Sequence, residues 1–198
     1  MSADPSTLAQ AIEAAVTEAE AGTAAEIVVV CSRSSGTYRD LAWLVGSTVS
    51  LATLAFLVYS PFPLEPLFWP IEVPLVGGVA GWMAARWPGL SRLASASRRR
   101  AQVRAAAESA FYQEKVFGTA ERTGVLVYVS WAEAEAVVIA DEGLLGAVPG
   151  EAWPMVAMDA ASTEGVSGGL KRLGQILAAH VPRAEGDANE LPDAPVLR

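Results

Sequence analysis

Carboxylates are the residues of this chain best placed to do chemistry. Glu26 opens one apolar β-branched run, Asp141 and Glu142 close another, and Asp187, Asn189 and Glu190 lie in a polar tail. Hard oxygen donors of this kind suit Ca²⁺ or Mg²⁺, which makes Glu26, Asp141, Glu142, Asp187 and Glu190 candidate metal ligands. Side chains at strand ends reach the rim of a sheet, so Asp141 with a tail carboxylate is the expected centre of a weak divalent-cation site. Carboxylates gathered without a cation repel one another and hold their protons, so such a site would tighten as pH rises. Arg122 and Thr123, just ahead of another apolar run, are candidates for contacting an anion.

Other chemistries lack their parts. Gly165-Val-Ser-Gly-Gly169 has the nucleophile-elbow spacing, but a helical pattern precedes it and no acid stands between Ser167 and His180. His180 is the one histidine, which excludes His-pair zinc motifs, and Cys31 is the one cysteine, which excludes an intrachain disulfide. No Gly-x-x-x-x-Gly-Lys or Gly-x-Gly-x-x-Gly loop is present, so a nucleotide partner has no support. A catalytic assignment therefore stays open.

The elements that must position the acids come in two kinds. Residues 6–21 read as a helix with Ser6 as N-cap and Leu8, Ile12, Ala15, Val16 and Ala19 on one face. Glu26–Cys31 reads as a buried strand, Ser97–Phe117 as a helix closed by Gly118, and 124–130 and 136–140 as two further strands. A turn is expected at 141–143, helices at 149–161 and 165–180, and a proline-containing polar tail at 182–198. A helix between the first two strands favours a parallel pair with residues 24–31 beside 124–130, and a tight connection makes the last two an antiparallel hairpin. The expected fold is α/β, a mixed sheet covered by helices.

The second kind is apolar. The chain of 198 residues is 52% hydrophobic and 18% charged, against about 25% charged in a typical soluble domain. Leu41–Leu64 holds no charge, and its core, Leu41–Tyr59, approaches the ~20 residues needed to span hydrocarbon. A second segment, Pro66–Ala85, carries Glu72 and three prolines, but its Gly77-xxx-Gly81 pair, with Gly46-xxx-Ser50 on the first, suits close membrane-helix packing. Trp43, Trp69, Trp82 and Trp87 lie near the segment ends, as interfacial indoles do.

Charge sets the orientation. The formal net charge is −8, yet 86–104 holds six arginines and no acid, and Arg33 and Arg39 precede the first segment. The tip at 60–66 has no base, so the positive-inside bias puts both termini in the cytoplasm and the tip outside. No signal peptide opens the sequence. The expected location is the inner (cytoplasmic) membrane, multi-pass, with the lipid bilayer and other membrane proteins as partners. The Arg98-Arg99-Arg100 cluster reads as juxtamembrane and attracted to anionic lipid, with no nucleic acid partner.

Several of these pieces, in order, resemble the TPM-domain family of bacterial membrane proteins and thylakoid proteins linked to photosystem II repair. They are Glu26-Ile-Val-Val-Val, Phe117–Ser130, Val137-Val-Ile-Ala-Asp141-Glu-Gly143, Trp153 and Asn189-Glu-Leu-Pro-Asp193. The resemblance implies a split cytoplasmic domain over 6–31 plus 97–193, of Rossmann-like layering, interrupted by a transmembrane hairpin at 41–87 and followed by a tail at 194–198. It also implies divalent-ion binding and, from a plant member, weak acid phosphatase activity. The sequence departs from the family where a basic residue or histidine is expected after Glu133, for Ala134 and Glu135 stand there. Without that phosphate partner, the favoured expectation is a non-catalytic module in assembly or turnover of membrane proteins; the alternative is a weak divalent-metal-dependent acid phosphatase.

Overall fold

A computed structural model describes residues 5–61, 65–87, 89–156, 158–183 and 189–198. The chain divides into two compact units, one of residues 1–35 with 100–198 and one of residues 36–99.

The first unit is a mixed α/β fold around a four-stranded sheet. Helix α1 (Pro5–Glu20) leads to β1 (Glu26–Ser32); β2 (Gly124–Ser130) and β3 (Glu135–Ala140) follow the second unit, and β4 (Val196–Leu197) closes the chain. The strand order is β3-β2-β1-β4. β1 and β2 run parallel in the register Glu26↔Gly124 to Ser32↔Ser130, and β2 and β3 run antiparallel, as expected from the connections between them. Both β1 and β2 are buried on both faces, which is why they read as unbroken apolar runs. Ile27, Val29, Cys31, Val125, Val127 and Val129 face α1 and a helix at Thr163–His180 (called α6 below). Val28, Val30, Leu126 and Tyr128 face Val103, Ala107, Ala110 and Phe111 of α4 (Ala96–Gln113). Helices thus cover both faces. α1 and α6 cross so tightly that a Cβ on Gly174 would lie 2.7 Å from the Ala19 backbone.

Several local expectations are corrected. Ser6 lies inside α1 and not ahead of it, because the described helix already includes Pro5, a residue the first turn tolerates. α4 ends at Gln113, earlier than Phe117, and left-handed Lys115 (φ 56°) turns the chain into a single 3₁₀ turn. The turn at 141–143 is the start of α5 (Glu142–Ala147), which Asp141 caps by accepting from Glu142 N at 2.8 Å. Among the described residues of 149–161, the expected helix is reduced to a 3₁₀ turn at Trp153–Met155. Pro149 and Pro154 lack donors there, and Asp159 draws Ala161 N into a local bond at 2.9 Å. The tail at 182–198 is not simply polar, since β4 pairs parallel with β1 through Val30↔Val196 and Cys31↔Leu197.

The second unit is a helical hairpin of α2 (Arg39–Tyr59) and α3 (Trp69–Arg86). Residues 66–86 and 39–59 each make 21-residue segments long and apolar enough to cross a membrane. The small residues meet as their spacing implies. A Cβ on Gly46 would lie 2.7 Å from Gly77 O, and one on Gly81 would lie 3.1 Å from Ala42 O. Ser50 Oγ donates to Val73 O at 3.2 Å, so the two helices run antiparallel. Large apolar side chains point the other way: Leu51 is 69% exposed and Ile71 67%. At the open end of the hairpin, Arg98 clamps Asp40 at 2.6 and 2.8 Å and lies over Tyr38.

Candidate functional site

The sheet gathers polar side chains at both of its ends. At the end where β1 and β2 begin and β3 finishes, the ladder brings Glu26, Arg122, Thr123, Asp141 and Glu142 to one rim. Asp141 N donates to Gly124 O at 2.9 Å, and Glu26 N to Thr123 O at 3.3 Å. β2 lies between Glu26 and Asp141, which keeps them about 10 Å apart, two strand spacings.

Each of these groups is already engaged. Asp141, 4% exposed, meets Arg122 with Oδ1 at 2.9 Å from Nη2 and Oδ2 at 2.7 Å from Nε. The Nε contact is close in distance but not aligned as a hydrogen bond, so its attraction is Coulombic. Asp141's hydrogen bond and charge hold the Arg122 guanidinium above its ordinary value. Arg122 itself takes a left-handed backbone (φ 58°), fixed by Gly143 N donating to its carbonyl at 3.0 Å. Glu142 is exposed, 3.7 Å from Arg122 Nη2. Thr123 is buried, with its N–H on Thr119 Oγ1 at 2.9 Å. Glu190 accepts from Ala120 N at 2.9 Å, and Glu26 accepts from Leu191 N at 3.2 Å.

The structure brings some of the expected cation ligands together and holds others apart. Arg122, Asp141 and Glu142 come together, but with the arginine as Asp141's counter-ion, where an anion contact was expected. Glu26 and Glu190 instead hold backbone N–H groups around the incoming tail. Asp187 lies outside the described residues. Among the described residues, no group of three or more His, Cys, Asp or Glu side chains is arranged to hold a metal ion.

The tail also crowds α1. Glu20 Oε1 accepts from Ile27 N at 2.6 Å, while Asp193 accepts from Thr17 Oγ1 at 2.9 Å and from Asn189 Nδ2 at 2.6 Å. Burial, opposed by the Ile27 bond and reinforced by the charges of Asp193 and Glu26, pushes the Glu20 carboxyl up to about 7.

The opposite end of the sheet carries a constellation that no metal or nucleophile motif marks. β1 and β2 finish in register at Ser32 and Ser130, and Glu133 turns back beneath them, 4% exposed. Glu133 accepts from Ser130 Oγ, from Ser34 Oγ at 3.1 Å and from Ser35 N at 3.2 Å. Ser35 Oγ lies 2.7 Å from Ser130 Oγ and 3.2 Å from Tyr128 Oη. Left-handed Ala134 (φ 51°) makes the turn, and Glu135 beyond it pairs with Arg100 at 3.4 Å. The signal was available as hydroxyls ending two apolar strands, with an acid three residues after one of them.

This cluster is a donor-saturated carboxylate, suited to tying chain segments together. Serine activation needs a base that titrates near neutrality. His180 ends α6 at the other end of the sheet, next to Val181, whose carbonyl accepts from Ala24 N at 3.1 Å; its Nδ1 lies 2.9 Å from Ile176 O. The Gly165–Gly169 run lies inside α6, whose N-cap Ser162 accepts from Gly165 N at 3.1 Å, so it is no elbow. Cys31 is buried in β1, and burial pushes its thiol up to about 12, far from thiolate reactivity.

No family model matches the chain, and no curated protein matches it. Among solved structures, the NMR structure of BA42 protein from the psychrophilic bacterium Bizionia argentinensis is similar over 100% of both chains, with a TM-score of 0.60 and 18% identity. At that identity the likeness is one of fold alone.

Proposed function

We propose that this protein is a membrane-anchored, non-catalytic α/β module that serves the assembly or turnover of other membrane proteins, with both termini in the cytoplasm. The observation that carries the anchoring is the inverted hairpin: glycines and Ser50 are packed inside, and leucines, indoles and Ile71 face out. In water that arrangement would expose a large apolar surface on both helices; in hydrocarbon it satisfies helix packing and lipid contact together. A 21-residue helix is about 31 Å long, close to the ~30 Å of a bilayer core. The six arginines of 86–104 and the base-free tip support the orientation.

The role rests on the resemblance of the strand and tail sequences to the TPM-domain family, and on the absence of Rossmann-type nucleotide signatures from the same sequence. Its non-catalytic character is supported by Asp141 being bound to Arg122 and by Glu133 being saturated with donors. The phosphatase alternative would require Asp141 to exchange its arginine for a metal ion.

Three measurements test the reading. Cysteines placed at Gln10 and Ala194 should be protected from an impermeant thiol reagent in intact cells, while one at Glu65 should react; native Cys31, being buried, stays silent. Reaction at Gln10 or Ala194 would overturn the topology. Co-purification from mild detergent should bring down membrane proteins, and phosphomonoester turnover abolished by Asp141→Ala would replace the module with the enzyme.

A further inference from the structure

A groove of about 470 Å³ runs along the α2–α3 pair, and its lining holds no acid. We infer that it binds one acyl chain of an anionic phospholipid, with the lipid phosphate held at Arg39. The inference rests on the membrane reading above and names the lipid that the hairpin selects.

The glycines that close the hairpin do not offer the groove to a third helix. Cβ atoms on Gly46, Gly77 and Gly81 would strike the facing helix, so these positions are already used in the α2–α3 contact. What remains is a slot over Gly78, where an added Cβ would meet nothing within 4 Å. A helix, about 10 Å across with its side chains, needs a broad small-residue surface to seat on, whereas a single hydrocarbon chain fits a slot.

Charge decides the headgroup. α2 begins and α3 ends at the same end of the antiparallel pair, so Arg39 and Arg86 both stand at the end predicted to be cytoplasmic. Arg39 lines the groove; Arg86 stacks on Trp82, a groove wall, with Cζ 3.8 Å from the ring centroid. The neighbouring acid, Asp40, is engaged by Arg98 at 2.6 and 2.8 Å, and so does not neutralise Arg39. Two guanidiniums beside indoles at the headgroup level form a site for phosphate, which a zwitterionic lipid fills less well because its own cation is repelled.

The test uses the full chain. Flotation with phosphatidylcholine vesicles first reads insertion; a chain left in the aqueous fraction removes the membrane reading and the lipid site with it. Inserted protein is then extracted in neutral detergent doped with equal mole fractions of dioleoyl phosphatidylglycerol and dioleoyl phosphatidylcholine, and native mass spectrometry counts the lipid each chain retains. One phosphatidylglycerol per chain is expected, preferred about fivefold or more, with Arg39→Gln lowering that preference about fivefold. Gly78→Leu, which fills the slot without touching the helix contact, should lower retention of both lipids. Equal retention of the two lipids, or retention unchanged in both variants, overturns the lipid site and leaves the membrane reading standing. A two-chain mass lost in Gly78→Leu, with lipid retention unchanged, overturns it in favour of a second copy in the groove.

Discussion

Glu20→Gln should flatten the pH dependence of the α/β unit's stability between about pH 5 and 8. The Glu20 carboxyl stands at about 7 in the folded chain against 4.5 for the free group, first because it is buried and then because Asp193 and Glu26 lie nearby. A raised folded value means that the protonated form is the one the fold favours. Glu20 therefore contributes its full stability below about pH 4.5, and that contribution is lost as pH rises through 7. A displacement of that size would correspond to roughly 3 kcal/mol in a fully shielded site; the side chain is part-exposed, and screening leaves about 1–2 kcal/mol. Glutamine keeps the acceptor that Ile27 N needs and cannot ionise. Cys31, the only cysteine, lies buried in β1 and reports opening of this unit when pulsed with a thiol reagent during urea titration of the full chain in detergent. Normalising to a denatured sample at each pH removes the reagent's own dependence. With a slope of about 2 kcal/mol per molar urea, the wild-type midpoint should fall by about 0.5–1 M from pH 5 to pH 8. The Glu20→Gln midpoint should stay level and exceed wild type at pH 8. A wild-type midpoint that is constant or rises, or a variant weaker than wild type at pH 8, refutes the reasoning.

Glu133→Ala should lower the stability by about 2 kcal/mol, about 1 M in the same midpoint, because it removes the acceptor shared by buried Ser130 Oγ, half-buried Ser35 N and Ser34 Oγ; an unchanged midpoint would deny the cluster its structural role. Arg122→Ala should lower the midpoint by leaving the buried Asp141 carboxylate without its counter-ion, and Arg122→Gly should lower it less, recovering about 1 kcal/mol by relieving the left-handed backbone. Equal midpoints for the two Arg122 variants would remove strain from the account. Gly77→Leu should destroy trypsin resistance of the vesicle-inserted hairpin, since its Cβ would overlap Ser50, while Gly78→Leu should keep it. The reverse order would show that the helices meet on another face.

Much of this protein follows from spacing alone. Val28–Cys31 and Val125–Val129 are apolar on successive residues, which only a strand buried on both faces tolerates, and a helix between them dictates a parallel pairing. Gly46 with Ser50 and Gly77 with Gly81 repeat at the helical interval, and the two rows meet. Periodicity of this kind is local, and nothing distant alters it.

Tertiary structure decided how the polar groups are used. α5 contains Gly143 and Gly146, poor helix formers, yet it holds because Asp141 caps it and Leu144 is fully buried. Val196 and Leu197 become a strand only because β1 presents an open edge to them. Asp141 reads as a metal ligand by type and position, but Arg122, nineteen residues earlier, takes it. Glu133 carries no motif, yet it joins Ser34 and Ser35 across almost a hundred residues. The physical reason is common to all four. A buried carboxylate, backbone edge or helix end must find a partner, and which partner it finds depends on chain segments brought together from far apart in sequence.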